Sequence, residues 1–185
     1  MAIQNGKAIF SLSASFQVIE EGLEHQFEPI TVTPPEELES DHAYWVELSK
    51  QFPGKIDRPT SQPIERKPVV RRDFINPPPQ EPEQQIWFRA LGDLGDDPCK
   101  HQTVLAYMSD YALLGSALLP HPYNGMSPRM QSASLDHALW FHREWKDRKE
   151  GKDRPHVNIG EMDLPEGKTH FLRFNRWWRL AHLTG

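Results

Sequence analysis

The longest apolar stretch of the chain runs from Val104 to His121. Nearly every position in it is apolar, and the pattern predicts one helix from about His101 to Leu119, because Pro120 cannot continue a helix. A helix that is apolar on all faces belongs in a protein core. A single carboxylate, Asp110, interrupts this run, and burying an ionised carboxylate is costly unless hydrogen bonds or charges compensate it. We therefore take Asp110 as the first catalytic candidate, with a bond to a neighbouring loop as the alternative.

Alternation of apolar and polar residues predicts strands elsewhere. Residues Ala2 to Gln17 are interpreted as a hairpin, since Asn5-Gly6 supplies the positive φ values of a tight turn. Its second strand, near Phe10 to Phe16, is expected to be half-buried and to pair with little beyond its own hairpin; joining the edge of the main sheet is the alternative. Further strands are predicted at Gln85–Ala90 and at Gln131–Phe141.

Proline dominates the region from Pro29 to Pro82, which contains most of the 17 prolines of the chain. Proline donates no backbone hydrogen bond, so regular sheet is excluded from most of this region. Within it we predict a short helix from Asp41 to Gln51, capped by Asp41. A linker is the favoured interpretation, and a ligand for an aromatic groove is the alternative.

Composition narrows the class of protein. The chain has 185 residues, 37% of them hydrophobic and 25% charged, as in globular proteins. A net charge of -5 argues against a nucleic-acid binder. The lone cysteine, Cys99, excludes an internal disulfide and fits a reducing compartment. We expect no membrane span and no signal peptide.

Two long motifs carry a family resemblance. The segments YMSDYALLGSALLPH and SASLDHALWFHR resemble the C-terminal half of acyl-CoA thioesterases of the TesB type, whose eukaryotic members include a peroxisomal enzyme. AIQNGKAIFSLSASFQ and EPEQQIWFRALG are similar to other parts of the same proteins. The resemblance implies an α+β protein of the hotdog fold, in which an antiparallel sheet wraps around a long central helix, and a remnant of a double hotdog.

The resemblance also implies a division of the chain. Residues 1–27 would be the closing hairpin of an otherwise missing N-terminal hotdog, and residues 28–62 a Pro-rich linker. Residues 63–142 would be a partial C-terminal hotdog, followed by a divergent tail over residues 143–185. The chain is thus expected to be truncated at both ends.

The implied chemistry is hydrolysis of fatty acyl-CoA to free fatty acid and CoA by an activated water, with no cofactor and no metal. The family aspartate maps to Asp110, and its serine or threonine maps to Ser134. The family glutamine has no counterpart, because no glutamine follows Gln131. Turnover is therefore expected to be impaired. A non-catalytic fragment or acyl/CoA-binding module is the rival hypothesis, and a small lipid-binding protein is a third.

The resemblance is compatible with assembly of this chain into a homo-oligomer. It implies a peroxisomal location, although the final residues AHLTG do not match a peroxisomal signal of the SKL type; a cytoplasmic location is the alternative.

Other constellations are judged structural. Asp136, His137 and His142 do not match a known metal-ligand spacing. A nucleophilic triad of Ser134, His137 and Asp110 is disfavoured, since no G-x-S-x-G pattern surrounds the serine. Cys99 has no identifiable partner base and is interpreted as an incidental thiol.

The tail from Arg143 onward is dense in charges and lacks sustained alternation, so residues from about Lys146 onward are expected to pack poorly. Within it, FLRFNRWWRL could instead touch a membrane surface or form an idiosyncratic strand.

Overall fold

The computed structural model describes residues 1–18, 20, 22–23, 31–56, 62–128, 130–131, 137–141, 157–159 and 181–182. Its elements follow in chain order: β1 (Ala2–Gln4), β2 (Lys7–Phe10), one turn of 3-10 helix (Pro35–Glu37), α1 (Asp41–Gln51), β3 (Ile64–Pro68), β4 (Ile86–Ala90), α2 (Pro98–Leu118), β5 (Met130–Gln131), β6 (Val157–Ile159) and β7 (Ala181–His182). Small antiparallel sheets combine with helices, so the described part of the chain is an α+β protein.

The main sheet has the strand order β3-β4-β6, and both pairings are antiparallel. Strand β4 alternates as predicted, because Ile86, Phe88 and Ala90 are buried while the residues between them are half-buried. The buried face meets helix α2 in one core, formed by Ile64, Ile86, Phe88, Ala90, Leu105 and Met108. On the outer face, the Trp87 indole N–H donates to the Thr33 carbonyl at 2.9 Å, which holds the Pro-rich segment against the sheet.

Helix α2 begins three residues earlier than the pattern predicts. Asp97 caps its N-terminus by accepting the Cys99 amide at 2.9 Å, and Pro98 occupies the first turn, where its missing N–H costs nothing. His101 is buried in that turn with Nε2 2.9 Å from the Gly95 carbonyl oxygen. The helix ends at Leu118, as the following proline predicts.

Arg72 closes the other end of α2. Its guanidinium donates to the carbonyls of Leu118 at 3.3 Å, Leu119 at 3.4 Å and Tyr123 at 3.1 Å, and also to His121. Its Nε donates to the Pro78 carbonyl at 3.0 Å. Partial burial lowers the pKa of Arg72. One cation thus gathers the carbonyls at the end of the helix, where a positive charge is favourable.

Helix α1 has the predicted bounds, but its cap is different. Ser40, rather than Asp41, accepts the Ala43 amide at 3.2 Å. Asp41 instead pairs with Arg71 at 2.7 Å and with Arg66 at 3.2 Å. The prediction failed because both residue types cap helices well and lie side by side in the sequence. Through its ion pair with Arg66, the Asp41 carboxylate connects α1 to strand β3.

The N-terminal hairpin turns at Asn5 and Gly6, with φ values of 51° and 74°, as the Asn-Gly pair predicts. In the described residues β1 and β2 pair only with each other and do not join the edge of the main sheet. The expected half-buried strand from Phe10 to Phe16 is wrong. The strand ends at Phe10, and the fractional exposure of Phe16 is 94%. Alternation alone cannot bury a strand that packs against nothing.

The C-terminal third departs most from the sequence prediction. Of the strand expected over Gln131–Phe141, Gln131 belongs to β5 and residues 137–141 are not strand, while residues 132–136 lie outside the described residues. Beyond Arg143, where the pattern indicated no strand, β6 pairs with β4 and β7 pairs with β5. The segment FLRFNRWWRL lies outside the described residues, as does most of the tail whose packing we expect to be poor. Across the described ranges, no helix combines the length and apolar character needed to cross a membrane.

Candidate functional site

Asp110 lies on the exposed face of α2, and the expectation that it is buried in an apolar core is wrong. The helix has two distinct faces. Its buried positions follow helical spacing at His101, Leu105, Met108 and Ser109, and its exposed positions follow the same spacing at Lys100, Thr103, Tyr107 and Asp110. The sequence pattern did not indicate an exposed face on this helix, because Tyr107 and Ala106 count as apolar residues. The carboxylate is therefore within reach of solvent and of a ligand.

Ser109, the residue before Asp110, connects α2 to the second motif. Its side chain is fully buried, and its hydroxyl donates to the Ala106 carbonyl at 2.7 Å. The same oxygen lies 3.1 Å from Nε2 of His137. Since the hydroxyl proton is already used, the oxygen accepts from an Nε2–H, and His137 is not placed to deprotonate Ser109. This bond joins the SDY motif to the SLDH motif.

Ser134 lies outside the described residues, as do Asp136 and His142. The approach of Asp110 and Ser134 to a common pocket therefore stays a prediction. The same holds for the roles assigned to Asp136 and His142. Of Asp136, His137 and His142, His137 is the residue whose position is described, and it contacts Ser109, as a residue with a structural role would.

Two tyrosines that the sequence analysis passed over flank Asp110. The hydroxyl oxygens of Tyr107 and Tyr111 lie 2.6 Å apart, and the two rings meet edge to face with centroids 5.2 Å apart. Burial raises the pKa of Tyr111 to about 12, helped by the hydrogen bond with Tyr107 and opposed by the positive charge of Arg66. The i, i+4 spacing of the pair is visible in the sequence, because such residues are neighbours on a helix surface.

Arg66 completes this surface from strand β3. Its guanidinium carbon lies 5.2 Å from the Tyr111 ring centroid and 5.9 Å from that of Phe88, within the range of cation–π attraction. Its ion pair with Asp41 holds it from the other side. No local pattern predicts this contact, since Arg66 and Tyr111 come from different elements. The exposed face of α2 thus carries the Asp110 carboxylate and the Tyr107 phenol, with Tyr111 and the Arg66 guanidinium partly buried beside them.

The remaining candidates keep structural interpretations. Cys99 is exposed in the first turn of α2. In the described ranges no three side chains of His, Cys, Asp or Glu come together as a metal site would require. The described part of the site therefore offers a carboxylate for proton transfer and hydroxyl donors for a carbonyl or an oxyanion.

Comparison with known proteins agrees with the motifs. A family model described as acyl-CoA thioesterase matches residues 57–150. The chain is 38% identical over 189 residues to acyl-coenzyme A thioesterase 8 of Homo sapiens and 38% identical over 190 residues to that of Mus musculus, with 96% of this chain covered in each case. It is 33% identical over 146 residues to acyl-CoA thioesterase 2 of Haemophilus influenzae, with 77% of this chain covered. The matched region is 56% of each mammalian relative and 50% of the bacterial one, so the chain spans about half their length.

Proposed function

Because this chain belongs to the acyl-CoA thioesterase family, we propose that it binds acyl-CoA thioesters and takes part in their hydrolysis to a free acid and CoA. Its relatives are named for this activity, and the chain covers about half of their length. The proposal needs a group that activates water, a donor that polarises the thioester carbonyl, and space for the acyl chain.

We assign proton transfer to Asp110. A positioned carboxylate that takes the proton of the attacking water contributes about 10²–10⁴ in rate. The exposed position of Asp110 supports this role, since a water and a thioester must both reach it. Ser134 is proposed to orient the water or the carbonyl, as the family pattern implies. No bound cofactor enters this chemistry.

The observation that carries the proposal is the hydrogen bond between Ser109 and His137. Ser109 precedes Asp110 on α2, and His137 follows Ser134 by three residues. The bond holds His137 against the helix that carries Asp110, which supports the proposal that Ser134, three residues earlier in the sequence, acts near Asp110. Ser109 and His137 are 28 residues apart in the sequence, so this contact links two separate motifs in the fold.

Finer features belong to the same proposal. A 21-residue helix packed on an antiparallel sheet supports the hotdog fold. Fatty acyl chains are the proposed substrate class. A peroxisomal location follows from the family resemblance alone. A fusion of the chain to a fluorescent protein, imaged with a peroxisomal marker, would separate this location from a cytoplasmic one.

Asp110→Asn tests the proposal, because it removes the base and keeps the size of the side chain. Thiol release from a fatty acyl-CoA is measured for the full chain, the Asp110→Asn variant and an Asp96→Asn control. Asp96 is an exposed carboxylate in the turn before α2, so its replacement makes the same change of charge. We expect turnover that falls by about 10²–10⁴ in Asp110→Asn and stays unchanged in the control.

Two outcomes would redirect the proposal. Turnover that survives in Asp110→Asn would show that another group activates the water. Binding of a non-hydrolysable acyl-CoA analogue by the unmodified chain, with no turnover, would favour the rival hypothesis of an acyl/CoA-binding module.

A further inference from the structure

The phenol pair of Tyr107 and Tyr111 has one hydrogen-bond proton more than its internal bond uses. The two hydroxyls carry two protons, and the 2.6 Å contact between their oxygens uses one. In the described part of the chain each phenol oxygen has the other as its hydrogen-bond partner. Whichever phenol donates inside the pair, the other directs its proton away from it.

The outward proton is assigned to Tyr107. The fractional exposure of Tyr107 is 49%, while Tyr111 is partly buried against the core cluster. The more exposed hydroxyl is the one with room to direct its proton outward, so Tyr111 is taken as the donor within the pair. A hydroxyl that already accepts a hydrogen bond is polarised and becomes a better donor itself.

The position of this donor relative to Asp110 suggests what it binds. Tyr107, Asp110 and Tyr111 lie on one face of α2, and residues three apart on a helix are surface neighbours with about 5–6 Å between their Cβ atoms. A ligand whose reacting carbon faces Asp110 would place an atom bonded to that carbon beside Tyr107. The outward phenol O–H can donate to an acceptor there, and a carbonyl oxygen is one.

We infer that Tyr107 donates its hydroxyl proton to the carbonyl oxygen of an acyl-CoA thioester bound at Asp110, which makes it a further substrate-contacting residue. This inference rests on the function proposed above. Tyr111 supports this role by donating a hydrogen bond to the Tyr107 hydroxyl. Arg66 places a positive charge beside the Tyr111 ring.

The chemical step balances with these groups alone. The water oxygen forms a bond to the carbonyl carbon while Asp110 takes one water proton. The carbonyl π electrons move to the oxygen that Tyr107 holds. When the carbonyl re-forms, the C–S bond breaks, and the leaving sulfur takes the proton from Asp110. A thioester and a water become an acid and a thiol, with Asp110 and Tyr107 restored.

Two CoA analogues that are not hydrolysed test the inference on the full chain. An oxoalkyl-CoA thioether has a methylene between sulfur and the carbonyl and so keeps the carbonyl oxygen. An alkyl-CoA thioether of equal chain length lacks it. Dissociation constants are measured by calorimetry for the unmodified chain, Tyr107→Phe and the control Tyr123→Phe, which changes a tyrosine in the loop after α2. Far-ultraviolet circular dichroism checks that each variant is folded.

We expect Tyr107→Phe to weaken binding of the oxoalkyl analogue by about 3- to 10-fold, the effect of one hydrogen bond, and to leave the alkyl analogue unchanged. Tyr123→Phe should change neither. Equal effects on the two analogues, or no effect on either, would overturn the inference and leave the proposed function intact. If the unmodified chain bound neither analogue, the proposed function would be overturned and the inference with it.

Discussion

Ser109 Oγ lies 3.1 Å from His137 Nε2, and this bond connects helix α2 to the segment that follows Ser134. Ser109 is fully buried and donates to the Ala106 carbonyl, so the direction of its bond with His137 is fixed. His137 therefore donates an Nε2–H to the Ser109 oxygen.

Ser109→Ala should loosen the segment around His137. The variant removes the acceptor for the imidazole, so amide hydrogen exchange in residues 138–141 should speed up. Where turnover is measurable, kcat should fall by about 10-fold, because small displacements of reacting groups already reduce rates strongly. Exchange detected by mass spectrometry and thiol release are the two measurements.

Ser116→Ala is the matched control. Ser116 is also on α2, where its hydroxyl accepts from the Gln84 amide at 2.7 Å, and Gln84 comes from the loop before β4. Its replacement should leave exchange in residues 138–141 unchanged. Equal acceleration by the two alanine variants would show that the effect comes from helix α2 as a whole and not from the bond to His137.

Arg72→Ala should destabilise the chain through the end of α2. The free energy of unfolding is expected to fall by about 2–4 kcal/mol, because several partly buried carbonyls lose a charged donor. Arg72→Lys should recover only part of this loss, since an ammonium group cannot match the planar fork of a guanidinium. Urea denaturation monitored by circular dichroism measures each variant.

Arg89→Ala provides the comparison. Arg89 makes an ion pair of 2.7 Å with Glu65 on the neighbouring strand β3, at a partly exposed position. Such pairs contribute about 0–1 kcal/mol. An Arg72→Ala variant no less stable than Arg89→Ala would contradict the role assigned to the carbonyl contacts.

The features that were predicted correctly depend on short sequence spacing. The Asn5-Gly6 turn, the bounds of α1 at Asp41–Gln51 and the alternation in β4 each follow from residues a few positions apart. The pairing of β6 with β4 joins segments about 70 residues apart, and nothing in the local pattern of Val157–Ile159 specifies it.

The candidate site likewise combines residues that the local sequence predicts with contacts that it does not predict. The motifs identified Asp110, but its exposure depends on which face of α2 meets the sheet, and Tyr107 made the outer face look apolar. The contacts of Arg66 and Arg72 are also non-local, since each cation reaches another element across the fold. A single sequence contains no signal that specifies such partners.

His101→Ala should cost about 2–4 kcal/mol of unfolding free energy, because it leaves the Gly95 carbonyl without its imidazole donor and opens a cavity at a buried position. His42, exposed on α1, is the control, and His42→Ala should change stability by less than about 0.5 kcal/mol. Urea denaturation of the two variants decides the matter. A His101→Ala chain as stable as His42→Ala would show that the imidazole contributes little to the first turn of α2.

Tyr111 should make stability depend on pH in the alkaline range. Burial and the hydrogen bond with Tyr107 raise its pKa from 10.0 to about 12 in the folded chain. A phenol with a raised folded pKa contributes stability that is fully present below pH 10.0 and is lost as pH rises through 12. The tyrosinate absorbance of the folded chain should therefore include a late step, the ionisation of one tyrosine near pH 12.

Two variants separate the causes of that late ionisation. Tyr111→Phe should remove the late step and make the unfolding free energy less dependent on pH between 10.0 and 12. Tyr107→Phe should move the step toward lower pH without abolishing it, because the hydrogen bond is lost and burial remains. A late step that persists in Tyr111→Phe would assign the late ionisation to another tyrosine and contradict the raised pKa of Tyr111.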